Sequence, residues 1–130
     1  MIRARFNFNP RKVAQDIDEV VIIVQQKVAM QLLEGIVNMN PVRSGRSRGN
    51  WQVTIGQAAS GELGGDKGPW PSAQEVINNG SAVVSSVTTL GAIYLTNNVP
   101  YITELEKGTS TQAPQGMVQV TLDRIGAQFN

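Results

Sequence analysis

The stretch PRKVAQDIDEVVIIVQQKVAMQLLEGIVN, residues 10–38, decides the fold of this chain. Its apolar side chains recur at steps of three and four residues, which is the period of one face of an α-helix. This apolar stripe consists of Val13, Ile17, Val20, Val24, Val28, Leu32 and Ile36. Asn9 is a good N-cap, and Pro10 is favoured at the first helical position. The pattern predicts one helix to about Asn38, ~45 Å long at 1.5 Å per residue.

The middle of this helix, VVIIV at residues 20–24, is rich in β-branched residues and is also compatible with a strand. Charged and glutamine residues on both sides, together with the sustained period, favour the helix. Val21, Ile22 and Ile23 widen the apolar stripe beyond what one core face needs. Two interpretations stay open: the helix is enclosed within its own domain, or its second face packs on a neighbouring molecule.

Residues 1–9 precede the helix and are interpreted as a strand or an ordered arm. Ile2, Ala4, Phe6 and Phe8 alternate with Arg3, Arg5 and Asn7. A period of two is typical of a β-strand with one buried face.

Short elements and loops are predicted for the middle of the chain. Residues 40–50 contain proline, glycine and small polar residues, so they predict a loop. This loop contains no acidic residue and three basic ones, Arg43, Arg46 and Arg48. Trp51, Val53 and Ile55 then alternate with less apolar residues, as in a half-buried strand. Residues 57–71 are rich in glycine and proline and predict a flexible loop.

Helices and one more strand are predicted for the last third. Ser72 and Glu75 fit a capping box and predict a helix over residues 72–87, with a helix to Asn79 and a strand from Ala82 as the alternative. A strand is predicted at residues 93–96 and a short helix at residues 101–106. A last helix is predicted from Pro114, with an apolar stripe formed by Met117, Thr121, Ile125 and Phe129.

These elements predict a single domain of the α+β class. A long N-terminal helix packs on a small, mainly antiparallel sheet, and further helices occupy the C-terminal half. At 130 residues the chain is long enough to bury one substantial core.

The composition removes most catalytic chemistry. The chain has no cysteine and no histidine, so it has no thiol nucleophile, no imidazole base and no Ser–His–Asp triad. The remaining candidates are Glu104 and Glu106, but residues two apart on a helix point in different directions. One of them is expected to cap a helix or to pair locally. We therefore expect no enzyme activity, no cofactor, and no catalytic or metal-binding residue.

Charge is divided unevenly along the chain. Residues 1–50 contain eight Lys/Arg and four Asp/Glu, whereas residues 51–130 contain three and six, so the halves carry +4 and −3. Such a division suits head-to-tail contacts between copies. The beginning lacks the apolar run of a signal peptide, and no uninterrupted apolar stretch reaches the ~20 residues that span a bilayer. We expect a soluble homo-oligomer without a membrane partner.

Two stretches resemble a known family. One runs IYLTNNVPY at residues 93–101, LEKGTS at 105–110 and QAPQGMV at 112–118; the other is PVRSGR at 41–46, followed by Asn50 and Trp51. Together they resemble the tail-completion and neck proteins of tailed bacteriophages, the small head–tail joining proteins similar to the lambda tail-completion protein. Arg43 stands where that family often has an acid. The positions that carry the resemblance, interpreted as framework, are Trp51, Asn97, Asn98, Pro100, Tyr101, Leu105, Glu106, Gly108, Gln112, Ala113, Pro114 and Gly116.

The resemblance implies a structural protein of the virion, assembled in the host cytoplasm. Such proteins form a homo-oligomeric ring, expected to be hexameric, that joins the tail to the head connector. The implied partners are the connector and the tail-tube or tail-terminator proteins, and DNA passes through the channel. Arg43, Arg46 and Arg48 would then face a neighbouring subunit or that channel.

Two other functions are compatible with the sequence. A small nucleic-acid-binding module would use Arg43, Arg46 and Arg48 to neutralise phosphates. A carboxylate-dependent hydrolase would use Glu104 or Glu106, and it would need a pocket and a strongly shifted carboxyl group.

Overall fold

The computed structural model describes residues 1–5 and 8–129 of the chain and confirms the α+β class. Its elements are α1 (Pro10–Met39), α2 (Arg46–Gly49), β1 (Gln52–Ile55), α3 (Ala73–Ser85), β2 (Ile93–Thr96), α4 (Ile102–Glu106) and α5 (Val118–Ala127). The long first helix, the two strands and the C-terminal helices correspond to the sequence-based prediction.

Helix α1 begins and ends at residues with clear local signals. The side chain of Asn9 accepts hydrogen bonds from the backbone N–H groups of Arg11 (3.1 Å) and Lys12 (3.3 Å), and Pro10 occupies the first helical position. These contacts satisfy donors that a helix N-terminus otherwise leaves unpaired. At the other end the backbone of Asn40 is extended, and Pro41 follows it.

The core lies on the second half of α1. Helices α3 and α5 both pack against α1, and β1 packs against α3. The buried residues that form the core cluster are Leu33, Ile36, Val37, Trp51, Val76, Ala113 and Met117. Gly80 of α3 lies so close to Leu33 that a β-carbon there would collide with the leucine side chain. The absence of that carbon lets α1 and α3 approach closely.

The sheet has two antiparallel strands, β1 and β2, in the register Val53 opposite Leu95. Val53 and Leu95 pack against the core cluster, whereas Tyr94 on the opposite face is exposed. This alternation is the reason for the period-two pattern in the sequence.

Parts of the prediction are corrected by the structure. Residues 1–5 and 8–9 are exposed and form no strand, so of the strand and arm interpretations the strand is wrong for them; Phe6 and Asn7 lie outside the described residues. The predicted loop at residues 40–50 contains the single-turn helix α2. The helix predicted over residues 72–87 is confirmed as α3, with Ser72 as its N-cap, and its strand alternative from Ala82 is wrong.

The last helix begins at Val118 and not at Pro114. Gly116 has a φ of 82°, which lies in the left-handed region and cannot belong to a right-handed helix. Of the predicted stripe, Met117, Thr121 and Ile125 are buried, and Phe129 is exposed.

Candidate functional site

A buried polar network joins the stretch at residues 40–51 to the end of β2. The indole N–H of Trp51 donates to Asn40 Oδ1 at 2.8 Å, and Asn40 Nδ2 donates to Ser47 Oγ at 2.8 Å. Asn97 Nδ2 donates to the carbonyl of Ser47, also at 2.8 Å. Asn40 and Ser47 are buried, so these bonds satisfy groups that would otherwise lose water without compensation. Sequence reasoning missed Asn40 and Ser47; the polar residues around Pro41 were the available signal.

Gln112 connects the segment at residues 93–118 to the loop that follows α1. Its Oε1 accepts the backbone N–H of Val42 at 2.8 Å, and its Nε2 donates to the carbonyl of Val42 at 3.1 Å. The side-chain amide thus pairs with the backbone as a neighbouring strand would. Asn98 plays a similar part elsewhere, since its Nδ2 donates to the carbonyls of Ala59 and Gly61 at 2.9 and 3.0 Å.

Glu106 holds the start of α5. Its Oε1 accepts the N–H groups of Met117 and Val118, both at 2.8 Å, and its Oε2 accepts that of Gln119 at 3.1 Å. Burial opposes ionisation of this carboxyl, but the three N–H donors outweigh burial and lower the pKa of Glu106 below its ordinary value. Gly116 allows this approach, because a β-carbon there would collide with the Glu106 carbonyl.

The two carboxylates have separate structural partners, as their spacing predicts. Glu104 pairs with Lys107 at 3.5 Å on the surface, while Glu106 caps α5. Gly108, at φ 90°, ends the segment after α4 and lies against Pro114. Among the other framework positions, Ala113 is buried and Leu105 packs on the core, whereas Pro100 and Pro114 are exposed.

Arg43, Arg46 and Arg48 do not form one exposed patch. Arg43 is exposed. The Arg46 side chain donates to both carboxylate oxygens of Glu62, at 2.9 and 3.0 Å, and this hydrogen bonding raises the pKa of Arg46. Its guanidinium also lies 5.9 Å from the ring centre of Tyr101. Arg48 is half-buried, and its Nε has no hydrogen-bond partner among the described residues.

A cleft of about 520 Å³ lies between residues 41–47 and residues 101–112. Residues 41–45 and Ser47 line one side, and Tyr101, Leu105, Ser110 and Gln112 line the other. Neither Glu104 nor Glu106 lines it. Within residues 1–5 and 8–129, no three His, Cys, Asp or Glu side chains are grouped in a way that could hold a metal ion.

The first half of α1, residues 10–24, extends beyond the core. Four residues here form what we call the outer stripe: Val13, Ile17, Val20 and Val24. Their exposed fractions are 38%, 56%, 59% and 45%. Val21 and Ile23 beside them are also exposed, and every residue from Arg11 to Val21 is exposed. The single apolar stripe predicted for the whole helix is therefore not one buried face.

Val13, Ile17 and Val20 of the outer stripe point away from the domain, whereas Val24, at its inner end, lines a shallow cleft with Ile93 and Leu95. Val20 and the buried Ala29 are nine residues apart, which is about 2.5 turns at 3.6 residues per turn and places them on opposite sides. Arg11 and Asp18 fall on the same side as Ala29, because they precede it by about five and three turns. Of the charged residues in the first half of α1, Asp16 lies beside the outer stripe, and the others lie nearer the line of the core face.

Length and composition alone would allow α1 to cross a membrane, and 22% of its most apolar window is buried within the domain. A single helix of this kind is weak evidence for a membrane span, and the second half of α1 contributes to the core of the domain. Three features are therefore candidates for function: the outer stripe of α1, the loop at residues 40–50 with its three arginines, and the buried polar network around Asn40 and Ser47. No family model, curated protein or solved structure matches this chain.

Proposed function

We propose that this chain is a structural, non-enzymatic assembly protein that forms a homo-oligomeric ring at the head–tail junction of a tailed phage. The position in the virion is supported by the resemblance of residues 41–51 and 93–118 to tail-completion and neck proteins. The connector on one side and tail-tube or terminator proteins on the other are the proposed partners, with DNA passing through the ring.

The observation that carries an assembly role is the uncovered outer stripe of α1. Isolated helices of ~12–15 residues are marginal in water and depend on packing of an apolar face. The first half of α1 is also rich in β-branched residues, which have low helix propensity. Because these apolar residues are exposed, and most of them point away from the domain, we expect a second molecule to cover them.

The free energy available from burying these side chains is compatible with assembly. Burying a Val or Ile side chain fully contributes about 1.5–3 kcal/mol, so half-exposed ones contribute roughly 1 kcal/mol each. The six exposed Val and Ile side chains of residues 10–24 therefore offer about 6 kcal/mol per copy. Association costs on the order of 4–15 kcal/mol, so the stripe favours contacts in which each copy has several neighbours.

The nucleic-acid alternative has less support from the geometry. Arg46 is engaged by Glu62, and Arg48 is half-buried. Arg43 remains exposed at the rim of the cleft, where it suits contact with a neighbouring subunit or with DNA in the channel.

Two measurements test the proposal. Native mass spectrometry and negative-stain microscopy of the purified chain are expected to show a closed ring. Labelling of the chain in phage particles is expected to mark the neck. A chain that stays monomeric at all concentrations, or particles that form normal joined tails without it, would contradict the proposal.

Affinity for DNA distinguishes the proposed ring from the nucleic-acid-binding alternative. Replacing the exposed Arg43 is expected to leave ring formation intact if it faces the channel. A binding module that uses Arg43, Arg46 and Arg48 predicts DNA affinity that falls steeply with salt and disappears when all three are replaced.

A further inference from the structure

The outer edge of strand β2 is open. β2 pairs with β1 on one side, and no further strand lies on its other side among the described residues. The backbone N–H of Gly56 donates to the carbonyl of Ala92, so these two residues form a hydrogen-bonded pair. Such pairs alternate with non-hydrogen-bonded pairs in an antiparallel ladder, so the N–H and C=O groups of Ile93 and Leu95 point outward. An edge of this kind is a template for a further strand.

An apolar cleft lies beside this edge. It has a volume of about 340 Å³, and Ile93 and Leu95 form one wall of it. The other wall is the face of α1 that contains Val21, Val24 and Val28. Side chains of a strand alternate between the two faces of a sheet, so every second side chain of a strand added to β2 would enter this cleft. The cleft therefore suits a segment with apolar residues at every second position.

Gln25 lines the same cleft, and only one end of its side-chain amide is paired. Its Nε2 donates to the carbonyl of Gly91, just before β2. Its Oε1 is shielded from water and accepts no hydrogen bond from the part of the chain that the structure describes. A shielded acceptor without a donor costs free energy. The cleft therefore favours an occupant that carries N–H donors, as an extended backbone does.

The N-terminal arm, residues 1–5, has the pattern that this edge and cleft require. Ile2 and Ala4 alternate with Arg3 and Arg5, and all four are exposed. Paired with β2, such an arm would place Ile2 and Ala4 in the cleft. Arg3 and Arg5 would then lie on the solvent face with Tyr94, where a guanidinium can stack on the ring. The alternation of the arm thus matches the two faces of the sheet at this edge.

The arm of the same copy is too short to run along β2. Val21, at the near end of the cleft, follows Asn9 by 12 residues, which is ~18 Å along α1. Folded back and fully extended, residues 1–8 would span at most ~28 Å. Only ~10 Å of arm, about three residues, would reach into the cleft, whereas β2 has four residues. The length of the chain therefore favours the arm of another copy.

We propose that the arm of one copy adds to the outer edge of β2 in the next copy, with Ile2 and Ala4 in the cleft between β2 and α1. The inference rests on the proposed ring and names surfaces that join its neighbours. Each copy donates one arm and accepts another through a different surface, which is a heterologous contact that can close around an axis. The arms lie between neighbours, so the axis stays open for the channel.

Pairs of single-cysteine variants test the contact, because the natural chain has no cysteine. Arg3→Cys and Tyr94→Cys change exposed positions, so both variants are expected to fold. Tagged Arg3→Cys is co-expressed with untagged Tyr94→Cys and treated with a short bismaleimide. The expected result is a cross-linked product that contains one chain of each kind. Asp66→Cys, at an exposed position that does not line the cleft, replaces Tyr94→Cys as the control and is expected to cross-link at background level.

Ile93→Pro tests the edge of β2 itself. Proline removes the outward N–H of residue 93 and leaves the hydrogen bonds between β1 and β2 in place. Ile93→Ala also loses the isoleucine side chain but keeps that N–H, so it is the matched control. Native mass spectrometry is expected to show a greater loss of assembled chains in Ile93→Pro than in Ile93→Ala. Equal assembly in the two variants, both folded by circular dichroism, would contradict pairing at this edge.

Other outcomes would overturn the inference. Rings that assemble with no mixed product above the Asp66→Cys control would reject the arm contact and leave the proposed function standing. The double variant Arg3→Cys, Tyr94→Cys is expected to give a ladder of linked chains, and closure within single chains would show that each copy binds its own arm. A chain that is monomeric and absent from the neck would instead reject the proposed function.

Discussion

The side chain of Gln112 pairs with both backbone polar groups of Val42, across a separation of 70 residues in sequence. This contact fixes the loop after α1 against the segment between α4 and α5. Gln112→Ala removes both hydrogen bonds, so we expect a loss of about 1 kcal/mol in local stability. Hydrogen exchange at the Val42 amide is expected to become faster. Gln115→Ala, at an exposed position of the same segment, is the control, and equal exchange in the two variants would contradict this role.

Glu106→Gln is expected to lower the free energy of unfolding by about 1–2 kcal/mol at pH 7, because a charged acceptor for three backbone N–H groups is lost. Urea unfolding measures this change. Glu104→Gln is the control, with an expected change under about 0.5 kcal/mol, since its pair with Lys107 is exposed.

The Glu106 effect is expected to depend on pH. The folded pKa is below the ordinary glutamate value of about 4.3, so the unfolded chain takes up the proton first as the pH falls. The stabilisation is fully present above about pH 4.3 and is lost as the pH falls through the lowered pKa. The difference between the natural chain and Glu106→Gln should therefore narrow in acid. A difference that grows in acid would be inconsistent with this assignment.

Gly80→Ala is expected to destabilise the domain by about 1–3 kcal/mol, because the added β-carbon collides with Leu33 and lies 3.0 Å from Val53 Cγ2. Gly126→Ala in α5 is the matched control. No atom lies within 4 Å of its added β-carbon, and alanine favours a helix, so stability is expected to rise by about 0.5–1 kcal/mol. Thermal unfolding of both variants measures the two effects, and a neutral Gly80→Ala would show that α1 and α3 are not tightly packed there.

The double variant Ile17→Lys, Val20→Lys places two charges on the outer stripe. We expect the ring to dissociate by sedimentation velocity while the core, measured by tryptophan fluorescence, stays folded. Glu19→Lys changes charge on the other side of the same helix and should leave assembly unchanged. Rings that persist in the double variant would remove the outer stripe from the assembly surface.

The sequence by itself determined the local elements of this protein. The N-cap at Asn9, the capping signal at Ser72 and the alternation through Val53 and Leu95 act over a few residues, so spacing and side-chain chemistry were sufficient to predict them. The absence of cysteine and histidine likewise needed no structure.

Only the tertiary structure decided how distant residues are used. In the sequence Glu106 has no evident partner. Its role appears only in the structure, where it accepts the N–H of Met117, 11 residues later, at the start of α5. Apolar residues lie on opposite sides of α1, so the sequence could not show which side is covered at each end of the helix: Leu33 is buried, while Val20 faces outward. That division depends on where α3 and α5 stop covering α1, and coverage is a property of the packed domain.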